Sequence, residues 1–135
     1  MPQSTEALIK AYYAAFNAGD REAFLALLTE DVLHDINQGG QEIGREAFAR
    51  FIDRMDRSYR EQIKDIVVLT EASGTRAAAE FTVHGTYLES DEGLPLARGQ
   101  TYVLPAGAFF TIRDGKVARI SNYYNLNDWV AQVSA

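Results

Sequence analysis

Apolar positions recur every three to four residues in the first part of the chain and every second residue from Ile63 onward. Leu8, Tyr12, Ala15 and Phe16 fall on one face of a first helix, with Ile9 and Tyr13 beside them. Ser4 can cap its free amides, and Glu6 suits the positive end of its dipole. Asn17-Ala18-Gly19 closes it, and Asp20 offers a cap for a second helix with the stripe Ala23, Phe24, Leu27 and Leu28. Thr29-Glu30-Asp31 ends that helix, and residues 32–37 read as a short strand running into Gly39-Gly40. Gly44 opens a third helix, whose stripe Phe48, Phe51, Ile52 and Met55 is the cleanest periodic signal in the chain.

The second half reads as strands. Residues 63–70 are apolar and β-branched, and Ala72-Ser73-Gly74 supplies a turn. Residues 76–88 alternate over more positions than an average strand holds, which predicts a bend. Residues 89–97 form a polar loop with Gly93 and Pro95. Pro105-Ala106-Gly107 interrupts the next strand, residues 100–112, and predicts a bulge or an edge there. Asp114-Gly115 is a hairpin turn before the last strand, residues 117–124. Asn127 is placed to cap a final turn that holds Trp129 and Val130. Three helices followed by four long antiparallel strands make a single α+β domain over residues 1–135. One sheet face should hold the helices and enclose a pocket, leaving the other for solvent or a second subunit, so a homodimer is expected.

Composition narrows the function. The net charge of −6 and the scattering of 13 Lys and Arg among 19 acids argue against binding nucleic acid or a membrane surface. With no cysteine, disulfides, thiol nucleophiles and thiolate metal sites are excluded. The opening Met-Pro-Gln-Ser-Thr-Glu lacks the basic and apolar regions of a signal peptide, and no apolar run approaches the ~20 residues needed to cross a bilayer. The expected compartment is the cytoplasm. Two histidines without carboxylate partners at ligand spacing give no metal motif, and no glycine loop for phosphate precedes a helix. No cofactor is expected.

Chemistry concentrates in residues 33–44, Leu-His-Asp-Ile-Asn-Gln-Gly-Gly-Gln-Glu-Ile-Gly. That density of polar groups amid apolar neighbours suits the wall of a small-molecule pocket. Asp35 is the expected reactive group, because partial burial beside Leu33 and Ile36 would raise its pKa toward that of a useful base. Asn37, two residues on, shares its strand face and can bind a carbonyl or hold Asp35. His34 then faces away, as a packing or surface residue. Were Asp35 to lie on the outer sheet face, a catalytic role for it would fail.

The order of elements resembles the NTF2-like superfamily, and within it the SnoaL-like and ketosteroid isomerase-related proteins. The residues that carry the resemblance are Tyr12, the run from Ala14 to Asp20, His34-Asp35, Gly44, Phe81-Thr82-Val83, Pro105 and Gly115-Lys116-Val117. It implies a cone, with a curved antiparallel sheet packed on three N-terminal helices around a pocket. Asp35, nine residues before Gly44, is similar to the family's carboxylate base, although counting from Asp20 implies a deletion between them. Tyr12 matches the tyrosine of the first helix and is the second catalytic candidate. Gly107 stands where ketosteroid isomerases place an oxyanion-binding acid, which argues against steroid isomerisation. The resemblance aims Phe81, Val83, Gly85 and Tyr87 into the pocket and His84 outward. With Lys116 as anchor it also aims Asn122 and Tyr124 inward, beside an apolar wall that includes Phe109.

The expected function is a cofactor-independent isomerase, cyclase, dehydratase or hydrolase acting on a small, largely apolar molecule. A binding module without catalysis and a dimeric adaptor are the alternatives. An ionisable group in an enclosed cavity favours the enzyme, a pocket without one favours a carrier, and a plugged pocket favours the adaptor.

Overall fold

The computed structural model describes residues 4–36 and 38–135. Helix α1 (Thr5–Ala18) begins where the Ala7 amide donates to the Ser4 hydroxyl at 3.1 Å. It ends at Gly19, whose φ of +69° lets the Gly19 and Asp20 amides bond back to the Phe16 and Ala15 carbonyls. Asp20 caps α2 (Arg21–Ala26) through the Ala23 amide. That helix is shorter than its apolar stripe suggests, because Leu28 already belongs to strand β1 (Leu28–Asp35).

A short strand, β2 (Gln41–Ile43), follows, and then α3 (Arg45–Ser58), which opens at Gly44 as expected. Strand β3 (Tyr59–Thr70) starts at Tyr59 rather than Ile63, and it bends where its pairing slips between Lys64 and Val67. Asp65 takes a positive φ of +56° at that bulge. Strands β4 (Arg76–Tyr87), β5 (Thr101–Arg113) and β6 (Lys116–Tyr124) complete the sheet, and α4 (Leu126–Ser134) closes the chain. Its cap is Asn125, which accepts from the Asp128 amide at 3.0 Å, and not Asn127.

The sheet has six strands in the order β2-β1-β6-β5-β4-β3, curved and unclosed. This is the α+β cone expected from the sequence, with the expected short strand β1 and one additional strand, β2, at one edge. All neighbours are antiparallel except β1 and β6, which run parallel. No bulge occurs at Pro105–Gly107, whose pairing with β4 is continuous. Strand β6 ends at Tyr124 opposite Ala106, so proline's missing amide falls where no sixth-strand partner remains. The slip in β5 lies instead between Thr111 and Ile112.

Strand alternation separates two faces. Tyr102, Leu104, Ala108, Phe110 and Ile112 of β5 turn inward and are buried, whereas Val103 and Phe109 turn out and are exposed. The helices cover the inward face. Tyr12 of α1 meets Phe24 of α2 at 4.6 Å and Phe110 at 5.5 Å between ring centres, and Tyr13 meets Phe81 at 5.1 Å. Trp129 of α4 packs at the far end against Tyr59, Tyr87 and Tyr102. Asn17 fastens α1 to the edge strand β3. Its amide donates to the Ile63 carbonyl at 2.9 Å and accepts from the Ile63 amide at 2.8 Å, so a side chain stands in for a neighbouring strand. Among the described residues no helix is long and apolar enough to cross a membrane.

Candidate active site

Helices and sheet leave a cavity of about 720 Å³ between them, large enough for a molecule of several rings. Its wall is mainly apolar by area, with polar and charged side chains set among the aromatic and aliphatic ones. The polar groups decide what the cavity can do.

Strand β1 supplies the first. Its partners in register are Ile120 for His34 and Ser121 for Asp35. Because Ile120 points inward, His34 does too, and the ring is 3% exposed. It stacks on Phe48 at 4.7 Å and meets the edge of Phe51 at 4.5 Å, both on α3. Opposite it on β2 stands Glu42, whose Oε1 lies 3.8 Å from His34 Nδ1. Both atoms are buried, and neither has a hydrogen-bond partner among the described residues. That separation is beyond a hydrogen bond but close enough to feel the charge. Burial holds the imidazole pKa below its ordinary value, and the nearby charges of Glu42 and Asp35 offset this in part. A neutral imidazole with a carboxylate behind one nitrogen leaves Nε2 as the nitrogen to meet a ligand.

Asp35 corrects the sequence expectation. Asp35 itself borders the cavity, as expected, but its carboxylate is bound to groups on the opposite side of the sheet. Ser121 donates to Oδ2 at 2.5 Å, Arg119 Nε donates to the same oxygen at 2.8 Å, and Gln41 donates to Oδ1 at 2.7 Å. These bonds, the Ser121 hydroxyl first, hold its pKa below the ordinary carboxylate value, against a smaller effect of burial. A base needs the reverse. Asp35 is a fastener between β1, β2 and β6, and Leu33 shares its face rather than burying it in the pocket.

Tyr12 lines the cavity as expected, but it is packed among Tyr13, Phe24 and Phe110. Burial, and then Tyr13, raise its pKa well above the usual phenol value, so it is an uncharged core group. Phe81, Val83, Asn122 and Tyr124 line the cavity, as the sequence implied. Gly107 touches the wall through its backbone, although its place in the alternation, opposite Glu80 and Tyr123, is on the outer face. Its inward neighbours are Ala106 and Ala108, so β5 brings no acid into the cavity whichever register is used. Phe109 is a second correction. It is 49% exposed on the outer face and packs against Tyr123, because residue 109 pairs with Ser121 rather than with an inward position. Asn37 lies outside the described residues. His84 pairs with Val103 and faces outward, as expected.

Sequence reasoning missed two acids. Glu42 sits on β2, a strand too short to show a period. Glu61 is the third residue of β3, in a stretch that showed no strand pattern until Ile63, and it lines the cavity. Burial raises its pKa, while a hydrogen bond from Tyr102 opposes the shift. Among the described residues no group of three or more His, Asp or Glu is placed to hold a metal ion.

The SnoaL-like domain family matches residues 9–120. A candidate polyketide cyclase from Pseudomonas putida KT2440, known as a crystal structure, is 66% identical over 97% of this chain and 98% of its own, with a TM-score of 0.95. Another from Xanthomonas campestris pv. campestris is 61% identical over 98% of both chains, with a TM-score of 0.93. An NTF2-like protein from Burkholderia xenovorans LB400 shares the fold at 16% identity, with a TM-score of 0.73 over 98% of this chain and 99% of that one. No curated protein sequence matches the chain.

Proposed function

The chain belongs to the SnoaL-like domain family and has its NTF2-like fold, and from that premise we propose that it is a cofactor-independent cyclase acting on a polyketide-like ketone. The observation that carries this reading is the His34–Glu42 pair at the wall of an aromatic cavity. His34 Nε2 takes a proton from a carbon next to a carbonyl, and the C–H electron pair moves onto the carbonyl oxygen as an enolate. The enolate carbon attacks a second carbonyl carbon of the same chain, forming the ring C–C bond. The alkoxide produced takes the proton back from His34. Protons and electrons balance without a redox partner. Glu42 acts through the histidine: its charge stabilises the imidazolium while the proton is held there.

The relatives described as candidate polyketide cyclases support this chemistry, as does an open cavity of a size to hold a folded polyketone. The cavity favours an enzyme over an adaptor because it is not plugged, and over a passive carrier because it holds ionisable groups. The test is α-proton exchange in D2O, followed by 1H NMR on a panel of aromatic ketones and β-keto esters. Catalysed exchange that disappears in His34→Gln supports the reading. Exchange no faster than in buffer across the panel, or exchange that survives His34→Gln, overturns it.

We infer as well that the outer face of the sheet pairs with a second copy of the chain. Its exposed apolar side chains, Val67, Leu69, Val103, Phe109 and Tyr123, support that assembly.

A further inference from the structure

Glu61 is an ionisable cavity group that the cyclase mechanism does not use. It stands in a row that crosses three strands, Glu61 on β3, Gly85 on β4 and Tyr102 on β5, each paired in register with the next. The middle position is empty of side chain, and the Tyr102 ring lies across it. A Cβ at residue 85 would fall 2.2 Å from Tyr102 Cζ and 2.4 Å from its hydroxyl oxygen, so no larger residue fits. Through that slot the hydroxyl reaches two strands over, a span of about 10 Å, and donates to Glu61 Oε2 at 2.6 Å. Tyr102 is itself buried, with its ring against Trp129.

The arrangement holds one carboxyl oxygen and leaves the other, Oε1, without a hydrogen bond among the described residues. No Lys or Arg pairs with Glu61 among them either, which is unusual for a carboxyl so placed. Asp56, Asp91 and Glu92 line the same cavity, as do Arg21 and Arg60, but Arg21 is paired with Asp53 and Asp56 rather than with Glu61. In the strand order Glu61 lies four strands from His34.

We propose that Glu61, held by Tyr102 across Gly85, is the receptor for an uncharged oxygen group of the ligand, a phenol hydroxyl or a ketone. With one oxygen held by Tyr102, the carboxyl can accept from a hydroxyl through the other when ionised and donate to a carbonyl when protonated, and in its ionised form it repels a carboxylate. The substrate is then a largely apolar molecule whose oxygens are neutral at the end bound by β3. This deepens the cyclase reading by naming the ligand class, and it shares with that reading only that the cavity takes a small molecule.

Binding of 2-naphthol, 2-naphthoate and 2-naphthylmethylammonium, measured by calorimetry on the intact protein, tests the proposal. The wild type should prefer naphthol to naphthoate by about ten-fold or more, the worth of one well-placed hydrogen bond against a buried unpaired charge. Glu61→Leu should remove that preference, and Glu61→Gln, which still accepts from Tyr102, should keep naphthol binding. Circular dichroism and melting of each variant confirm folding, and Tyr102→Phe, which keeps the ring in its slot, gives a second route to weaker naphthol binding should Glu61→Leu not fold. Tighter binding of the ammonium, equal binding of naphthol and naphthoate, unchanged preference in a folded Glu61→Leu, or no naphthol binding by the wild type each overturn it. The D2O exchange lost in His34→Gln reports on the base alone, so the two readings fail separately.

Discussion

His34 and Asp35 are neighbours in the chain and face opposite sides of the sheet. His34 pairs with the inward Ile120 and meets Glu42, while Asp35 pairs with Ser121 and is bound by Arg119. One peptide unit therefore separates a cavity imidazole from a structural ion pair. The imidazole is 3% exposed and below its ordinary pKa, and the carboxylate is 17% exposed and also below its own. The same direction of shift has different causes: desolvation of a cation for His34, hydrogen bonds to an anion for Asp35.

His34→Gln is expected to lower turnover by about 10²–10⁴-fold, the usual worth of a positioned general base. The glutamine keeps a polar head between Phe48 and Phe51, so the fold should persist. Rate constants from the D2O exchange assay, with a melting curve as control, decide the point. An active variant would remove His34 from the mechanism.

Glu42→Gln should act through the histidine. Glu42 raises the His34 pKa against the lowering by burial. Without it the imidazole protonates only at lower pH, so the acid limb of kcat/KM moves down. At pH 7 turnover should fall by about ten- to a hundred-fold, because the imidazolium formed in the reaction loses its nearby charge. A pH–rate profile reads both effects. A carboxylate with a purely structural role would change stability and leave the limb in place.

Asp35→Asn should leave turnover near that of the wild type and lower stability by about 1–3 kcal/mol, through the lost Arg119 pair and the weakened Ser121 and Gln41 bonds. The pH sign follows from its pKa, which is lower folded than unfolded. Its contribution is complete above the unfolded carboxylate value and is lost as the pH falls through the folded one. Urea titrations of both proteins at neutral pH and near pH 3 test this. The stability gap between them should narrow in acid.

The fold was legible because its periods are long. The α3 stripe of Phe48, Phe51 and Ile52 and the alternation through Phe81, Val83 and Gly85 each span enough residues to fix a face. The site depended on one short strand, where an error of one position inverts every side chain. Reading Asp35 inward treated Leu33 and Ile36 alike as its apolar neighbours, although they lie on opposite faces. Val32 and Ile36 flank His34 at two-residue spacing, and that pattern placed the histidine on the apolar side. Glu42 had no such signal, since a strand of three residues has no period. Glu61 was hidden because α3 runs into β3 without a turn, and Tyr59, Glu61 and Ile63 alternate only once the junction at Ser58 is known.

Gly85→Ala should destabilise the protein by about 1–3 kcal/mol, the cost of overpacking a filled site, because the added methyl meets the Tyr102 ring. Tyr102→Ala empties that space. The penalty of Gly85→Ala should therefore shrink by more than about 0.5 kcal/mol in the Tyr102→Ala background, the size of coupling between residues in contact. Urea unfolding of the four proteins completes the cycle. Additive penalties would mean that the ring does not occupy the slot.

The outer face makes a separate prediction. Phe109 is 49% exposed and packs edge-on to Tyr123 at 5.4 Å, with Val103 on the same strand and Val67 and Leu69 on β3 also open to solvent. Five large apolar side chains on one sheet face carry a free-energy cost in water that burial against an equivalent face would relieve. A two-fold axis brings each patch onto its own copy, so complementarity needs no second kind of surface. Light scattering after size exclusion should give about twice the 15.0 kDa of one chain. Phe109→Lys places a charge in the patch, away from the cavity, and should yield a folded monomer that still binds naphthol. A wild type that elutes as a monomer at micromolar concentration would instead leave this face for a different partner, and a Phe109→Lys protein that remains dimeric would place the interface elsewhere.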